Sequence, residues 1–154
     1  MATPVTSHVG YILKQAQHAL RTRMDEHLRE IGLSTAQYAL LTALQEAKVA
    51  SGAELARRCF VTPQTVTGLI GGLVRTGLIV RSPSRRHGRV IEARLTPDGL
   101  RLFRRARTIV YAIEREMLSD LSASERTALG QMLRVCALRL GGRSVELDED
   151  PEAS

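Results

Sequence analysis

The segment Thr62-Pro63-Gln64-Thr65-Val66-Thr67 carries the side chains best suited to a specific chemistry. Gln64 can present a paired donor and acceptor to the edge of an adenine, and Thr65 and Thr67 can bond to bases or touch thymine methyls. Five arginines follow closely: Arg75, Arg81, Arg85, Arg86 and Arg89. Guanidinium groups at this density suit a phosphate backbone. Thr62, at the head of a helix, would hold a phosphate, as would Arg75 or Arg81. Arg89, with Arg85 and Arg86 as alternates, suits a narrow A·T-rich minor groove. The plainer account of Gln64 and the threonines is a solvated helix face.

These residues need elements to position them. Thr62 has the oxygen of a helix cap and Pro63 suits the first helical position, so a helix is expected over about 62–76. Val66, Leu69, Ile70 and Leu73 form its apolar stripe and Gly77 ends it. Ser51-Gly52-Ala53-Glu54 reads as a capping box for a short preceding helix with Leu55, Ala56 and Cys59 inward. Only Phe60 and Val61 separate that helix from Thr62, as in a helix-turn-helix. Leu78–Arg81 and Ile91–Leu95 read as two strands joined by a basic tip, together a wing over about 78–95. Upstream, a long helix from about His8 to Ile31 is closed by Gly32, Ser34 and Gln37 box the next helix, and Glu46–Ala50 is a connector. Downstream, Thr96-Pro97 opens a helix whose seam is Phe103, Ala106, Val110, Ile113 and Met117. A last helix starts at Ser122-Ala123-Ser124-Glu125, carries Leu129, Leu133, Cys136 and Leu140 on one side, and stops at Gly141-Gly142. Residues 143–154 are expected to be an acidic, disordered tail.

The chain has 154 residues and a formal charge of +6. Between Arg75 and Arg107 ten arginines face only Glu92 and Asp98. That stretch alone outweighs the whole-chain charge, so the rest is net acidic and the basic patch is local. Cys59 and Cys136 both fall on apolar stripes and read as core thiols of a reducing compartment. With no signal peptide and no long apolar run, a cytoplasmic protein away from membranes is expected. Catalysis is not expected, because there is no phosphate-cradling glycine loop, Cys-x-x-Cys or His-Glu-x-x-His. His8, His18, His27 and His87 lack metal-site spacing, and neither a metal nor a cofactor is expected.

Five segments resemble the MarR (multiple antibiotic resistance regulator) family of winged-helix transcription factors. They are Leu33-Ser34-Thr35-Ala36-Gln37-Tyr38-Ala39-Leu40-Leu41, Glu54-Leu55-Ala56, Thr62 to Thr67, Gly77-Leu78-Ile79, and Leu95-Thr96-Pro97-Asp98-Gly99. They stand in the family's order, and with the flanking helices the resemblance covers roughly residues 8 to 140. It departs in two places. His87-Gly88-Arg89 keeps the wing arginine without the family's acidic residue, and Gly68, Gly71 and Gly72 replace charged residues along the recognition helix. The family's peroxide sensors carry a cysteine near the start of the first helix, and none stands there in this chain.

The expected class is therefore mainly α (α+β), a winged helix-turn-helix over 33–99 with dimerisation helices at 8–31 and 100–142. The terminal helices carry more apolar stripe than the central domain can cover, so a symmetric homodimer is expected rather than a monomeric bundle. The resemblance implies a repressor that leaves double-stranded DNA, at a pseudo-palindromic operator, when a small aromatic or phenolic acid binds. Tyr11, Lys14 and His18, at intervals of three and four, and Tyr38 are the candidate ligand-binding residues. The alternatives are a winged helix used for protein interaction and a non-specific architectural DNA binder.

Overall fold

A computed structural model describes residues 7–142. Its elements are α1 (Val9–Arg29), α2 (Thr35–Ala47), β1 (Ala50–Ser51), α3 (Gly52–Arg58), α4 (Pro63–Arg75), β2 (Ile79–Pro83), β3 (Ile91–Leu95), α5 (Pro97–Met117) and α6 (Ala123–Arg139). The expected mainly α winged helix-turn-helix is present. The chain divides into two compact units, one ending at Glu114 and one beginning at Arg115. The acidic tail lies outside the described residues.

In the first unit, local signals set the helix ends. Beyond α1, Gly32 takes φ 79° and the Leu33 N–H returns to the Leu28 carbonyl at 3.0 Å, which closes the helix with a left-handed glycine. Ser34 Oγ accepts from the Gln37 N–H at 3.1 Å while Gln37 Oε1 accepts from the Ser34 N–H at 2.9 Å, completing the box that opens α2. Asp25 ties α1 to this start by accepting the Thr35 N–H at 2.9 Å, and that bond holds its carboxyl below the ordinary value. The core is built on Leu28, Leu40, Leu41, Leu44, Leu55, Val66 and Leu73, all fully buried. Each is supplied by a helix of period 3.6, so the stripes of α1 to α4 converge.

Three details differ from expectation. Ser51 Oγ accepts from the Glu54 N–H at 3.3 Å, but the Glu54 carboxylate turns to Arg58 at 3.2 Å, so only half of that box forms. The segment read as a connector ends in β1, where Ala50 pairs with Ala93 and the following Ser51 with Glu92. The wing is thus a three-stranded antiparallel sheet in the order β1-β3-β2, with Ile79 opposite Leu95 and Pro83 opposite Ile91. A two-residue strand has too little pattern to be seen without its partner.

In the second unit, Ser122 and Glu125 form the reciprocal box that opens α6. Gly141 takes φ 77° and the Gly142 N–H reaches the Ala137 carbonyl at 2.8 Å, stopping the helix. No residue of α6 is buried, and Leu140 is 90% exposed. Cys59 packs half-buried against the core, whereas Cys136, read as a core thiol, is exposed. Helical spacing puts Cys136 with Leu133 and Leu140 on one side of α6, but no residue of that helix is buried.

Candidate nucleic-acid interface

The head of α4 is organised by its cap. Thr62 Oγ1 accepts from the Thr65 N–H at 3.1 Å, and Pro63 occupies the first turn, where a missing N–H costs nothing. Val66, Ile70 and Leu73 sink into the core, leaving Thr62, Gln64, Thr65 and Thr67 exposed on the opposite face. The four are not equivalent. The Thr62 and Thr65 hydroxyls share a hydrogen bond at 2.9 Å, and Thr67 Oγ1 donates to the Pro63 carbonyl at 2.9 Å. Thr67 has therefore spent its donor on the helix and retains a methyl and an acceptor. Gln64 has no intramolecular partner among the described residues, so its amide keeps both donor and acceptor.

Arg75 lies at the other end of the helix, about 17 Å along the axis from Gln64 at 1.5 Å per residue. A Cβ at Gly71 would lie 3.6 Å from Arg75 Nη1, and one at Gly72 3.8 Å from Nη2. The guanidinium is folded back over the helix, at a distance where a Cβ on either glycine would make only ordinary contact. Arg75 does not share one contact patch with Gln64.

The wing carries the remaining cations. Arg81 is exposed on β2 opposite Ala93, and Arg85, Arg86 and Arg89 are exposed at the tip. None of the four is in an ion pair among the described residues, whereas Arg58 and Arg101 have carboxylate partners. The tip itself is ordered by Ser84, which is only 5% exposed. Its Oγ accepts from the Arg86 and His87 N–H groups, both at 3.2 Å, and its own N–H donates to the Val90 carbonyl at 2.7 Å. A buried hydroxyl thus organises a tip that has His87 where the family has an acid. Arg94 is likewise held, donating to Ser82 Oγ at 2.8 Å. Spacing singles out neither serine; for Ser84 the usable signal is a serine two and three residues before the amides it binds.

Among the described residues no hydrogen bond or ring contact brings the ligand-binding candidates together. Tyr11, Lys14 and His18 are exposed along α1. Tyr38 is half-buried and stacks on Phe103, with centroids 6.1 Å apart and planes at 14°. Arg107 lies 5.9 Å from the Phe103 ring and 5.7 Å from the Tyr111 ring. Burial pushes the Tyr38 phenol up, so it stays protonated near neutrality. Sequence periodicity assigned Phe103 to a seam and gave Arg107 no role of its own. A second feature, an open groove of about 550 Å³, is lined by Lys48, Arg94 and Arg104 around Leu44 and Leu100. Among the described residues no cluster of His, Cys, Asp and Glu could hold a metal ion, and no helix is long and apolar enough to cross a membrane.

Comparison with known proteins agrees with this fold. A family model described as MarR family matches residues 31–90. The HTH-type transcriptional repressor Rv2887 of Mycobacterium tuberculosis is 32% identical over 125 residues, spanning 81% of this chain and 90% of that protein. Its crystal structure in complex with salicylic acid superposes with a TM-score of 0.71 at 30% identity, covering 87% of this chain and 99% of that one. Bordetella bronchiseptica BpsR, whose DNA binding is regulated by 6-hydroxynicotinic acid, gives a TM-score of 0.81 at 23% identity, covering 89% and 98%. A mutant MarR from E. coli complexed with operator DNA gives 0.78 at 20% identity, covering 88% and 99%. At those two identities the likeness speaks for the fold.

Proposed function

Because the chain belongs to the MarR family, we propose that it is a homodimeric transcriptional repressor that reads a pseudo-palindromic operator and is released by a small aromatic acid. The observation that carries this reading is the head of α4, where an apolar stripe anchors the helix and an uncharged hydrogen-bonding face stays in water, in a chain whose exposed wing arginines form no ion pair among the described residues. Gln64 would bond bidentately to an adenine, with Thr65 and Thr67 beside it in the major groove. Thr62, Arg75 and Arg81 would hold phosphates. Arg89, Arg85 and Arg86 would lie in or along the minor groove.

Dimerisation is supported by apolar surface on the terminal helices. Val9, Ile12 and Leu13 of α1 and Met132, Val135 and Leu138 of α6 are each at least 47% exposed in the single chain. A two-fold partner would cover such faces and set two copies of α4 about one helical turn of DNA apart, roughly 34 Å.

Salicylic acid on Rv2887 and 6-hydroxynicotinic acid on BpsR support an aromatic acid as effector. Tyr38, with Tyr11, Lys14 and His18 on α1, remains the proposed binding set, and Arg107 between two rings adds a cation suited to a carboxylate. The effector releases DNA only if it binds the DNA-incompetent arrangement more tightly. The test is a mobility-shift titration on a duplex from the protein's own promoter region over a salt series. A complex that weakens steeply with salt and outlasts competition by scrambled duplex is expected. Equal affinity for scrambled duplex, or none at low salt, overturns the reading.

A further inference from the structure

Phe60 occupies the turn between α3 and α4 in a conformation that L side chains avoid. Its φ is 55°, and its side chain is 79% exposed. The local hydrogen bonds explain the backbone: the Phe60 N–H returns to Arg57 at 3.4 Å and the Val61 N–H to Ala56 at 3.1 Å, closing α3 with a left-handed residue. At the ends of α1, α4 and α6 the chain meets the same need with Gly32, Gly77 and Gly141, and after α2 with a long polar side chain, Lys48 at φ 63°. Here it places a bulky aromatic where glycine would relieve the strain, and then leaves the ring in water. Neither burial nor turn chemistry explains the choice. Backbone outliers of this kind persist where the surroundings use them.

Position supplies the use. Phe60 precedes the Thr62 cap by two residues, so its Cα lies within about 7 Å of the head of α4. If α4 enters a major groove, the turn before it faces the sugar–phosphate strand flanking that groove, and a ring there meets deoxyribose carbons. We propose that Phe60 is a DNA-contacting residue whose ring packs on the apolar face of the backbone sugars beside the bases read by Gln64. The assignment rests on the DNA-binding reading above. It adds a salt-insensitive apolar contact to an interface otherwise made of hydrogen-bonding and cationic side chains.

The test compares Phe60→Gly, Phe60→Asn and Phe60→Leu with the wild-type protein on the promoter duplex. Glycine and asparagine both tolerate the left-handed backbone, so both remove the ring without straining the turn. Each is expected to lower affinity about tenfold, the value of a largely buried aromatic face, at every salt concentration. The slope of log affinity against log salt stays unchanged, because no phosphate contact is lost. Leucine keeps most of the affinity. Free of DNA, Phe60→Gly melts about 2–4 °C higher, as relief of left-handed strain predicts for a chain of this size. Wild-type affinity in the glycine and asparagine variants, an altered salt slope, or a clearly lower melting point for Phe60→Gly each overturns the assignment. If the wild-type protein itself does not shift the duplex, the DNA-binding reading falls first and this one with it.

Discussion

Gly99, in the first turn of α5, offers a sharp test of how the wing is joined to the helices. A Cβ on Gly99 would run into the Leu78 carbonyl oxygen, lying 3.0 Å from the Leu78 carbonyl carbon and 3.3 Å from its Cα. These are main-chain atoms, so no rotamer change relieves the clash. The same oxygen accepts the Thr96 N–H at 3.1 Å, and Thr96 Oγ1 both donates to the Gly77 carbonyl at 2.7 Å and accepts the Gly99 N–H at 3.0 Å. Gly99→Ala must therefore spread a junction that three hydrogen bonds hold. Overpacking costs about 1–3 kcal/mol and a weakened hydrogen bond about 1 kcal/mol, against about 1 kcal/mol gained in helix propensity. The net is about 2 kcal/mol, or a fall in Tm of roughly 4–8 °C. Gly68→Ala is the control, since a Cβ there meets nothing within 4 Å in an exposed helix interior. It should raise stability by about 0.5–1 kcal/mol. Thermal and urea unfolding of the three proteins at one fixed protomer concentration gives both signs. A Gly99→Ala protein as stable as the wild type would show that the Leu78 junction yields freely, refuting the argument.

Other consequences can be measured in the same way. Asp25→Asn removes the charge that accepts the Thr35 N–H; because that carboxylate is 34% exposed, the cost at neutral pH is discounted to about 1 kcal/mol. The folded pKa lies below 3.8, so the stability it confers is present above that value and lost as the pH falls below it. Wild type and Asp25→Asn should thus converge in acid, and a gap that does not change with pH would count against the assignment. Arg89→Ala should weaken binding and reduce the salt slope by about one unit, read from mobility shifts; an unchanged slope means that the wing tip stays off the DNA. Gln64→Ala should relax base preference more than it lowers total affinity, because among the described residues the Gln64 amide keeps both its donor and its acceptor free. A selection experiment returning the wild-type site profile would remove Gln64 from the reading set.

What the sequence determined by itself was local. Ser34 with Gln37, Thr62 with Pro63, and Ser122 with Glu125 announce helix starts because a side-chain oxygen two or three residues from an orphan amide acts wherever the chain goes. Gly32, Gly77 and Gly141 announce helix ends for an equally local reason, the missing Cβ. Helical spacing likewise picked out Val66, Ile70 and Leu73 as the buried side of α4, and so left Gln64 and its neighbours outside. The tertiary structure decided whatever depends on partners far along the chain. It paired Ala50 with Ala93, brought Gly99 against Leu78, stacked Tyr38 on Phe103, and left Cys136 in water. Ser84 and Phe60 are intermediate cases: each acts on its own turn, but only the folded chain shows that the hydroxyl is enclosed and the ring is not. The reason is physical. Caps and turns are settled by atoms a few residues apart, whereas burial and close approach follow from which distant surfaces remain to cover one another.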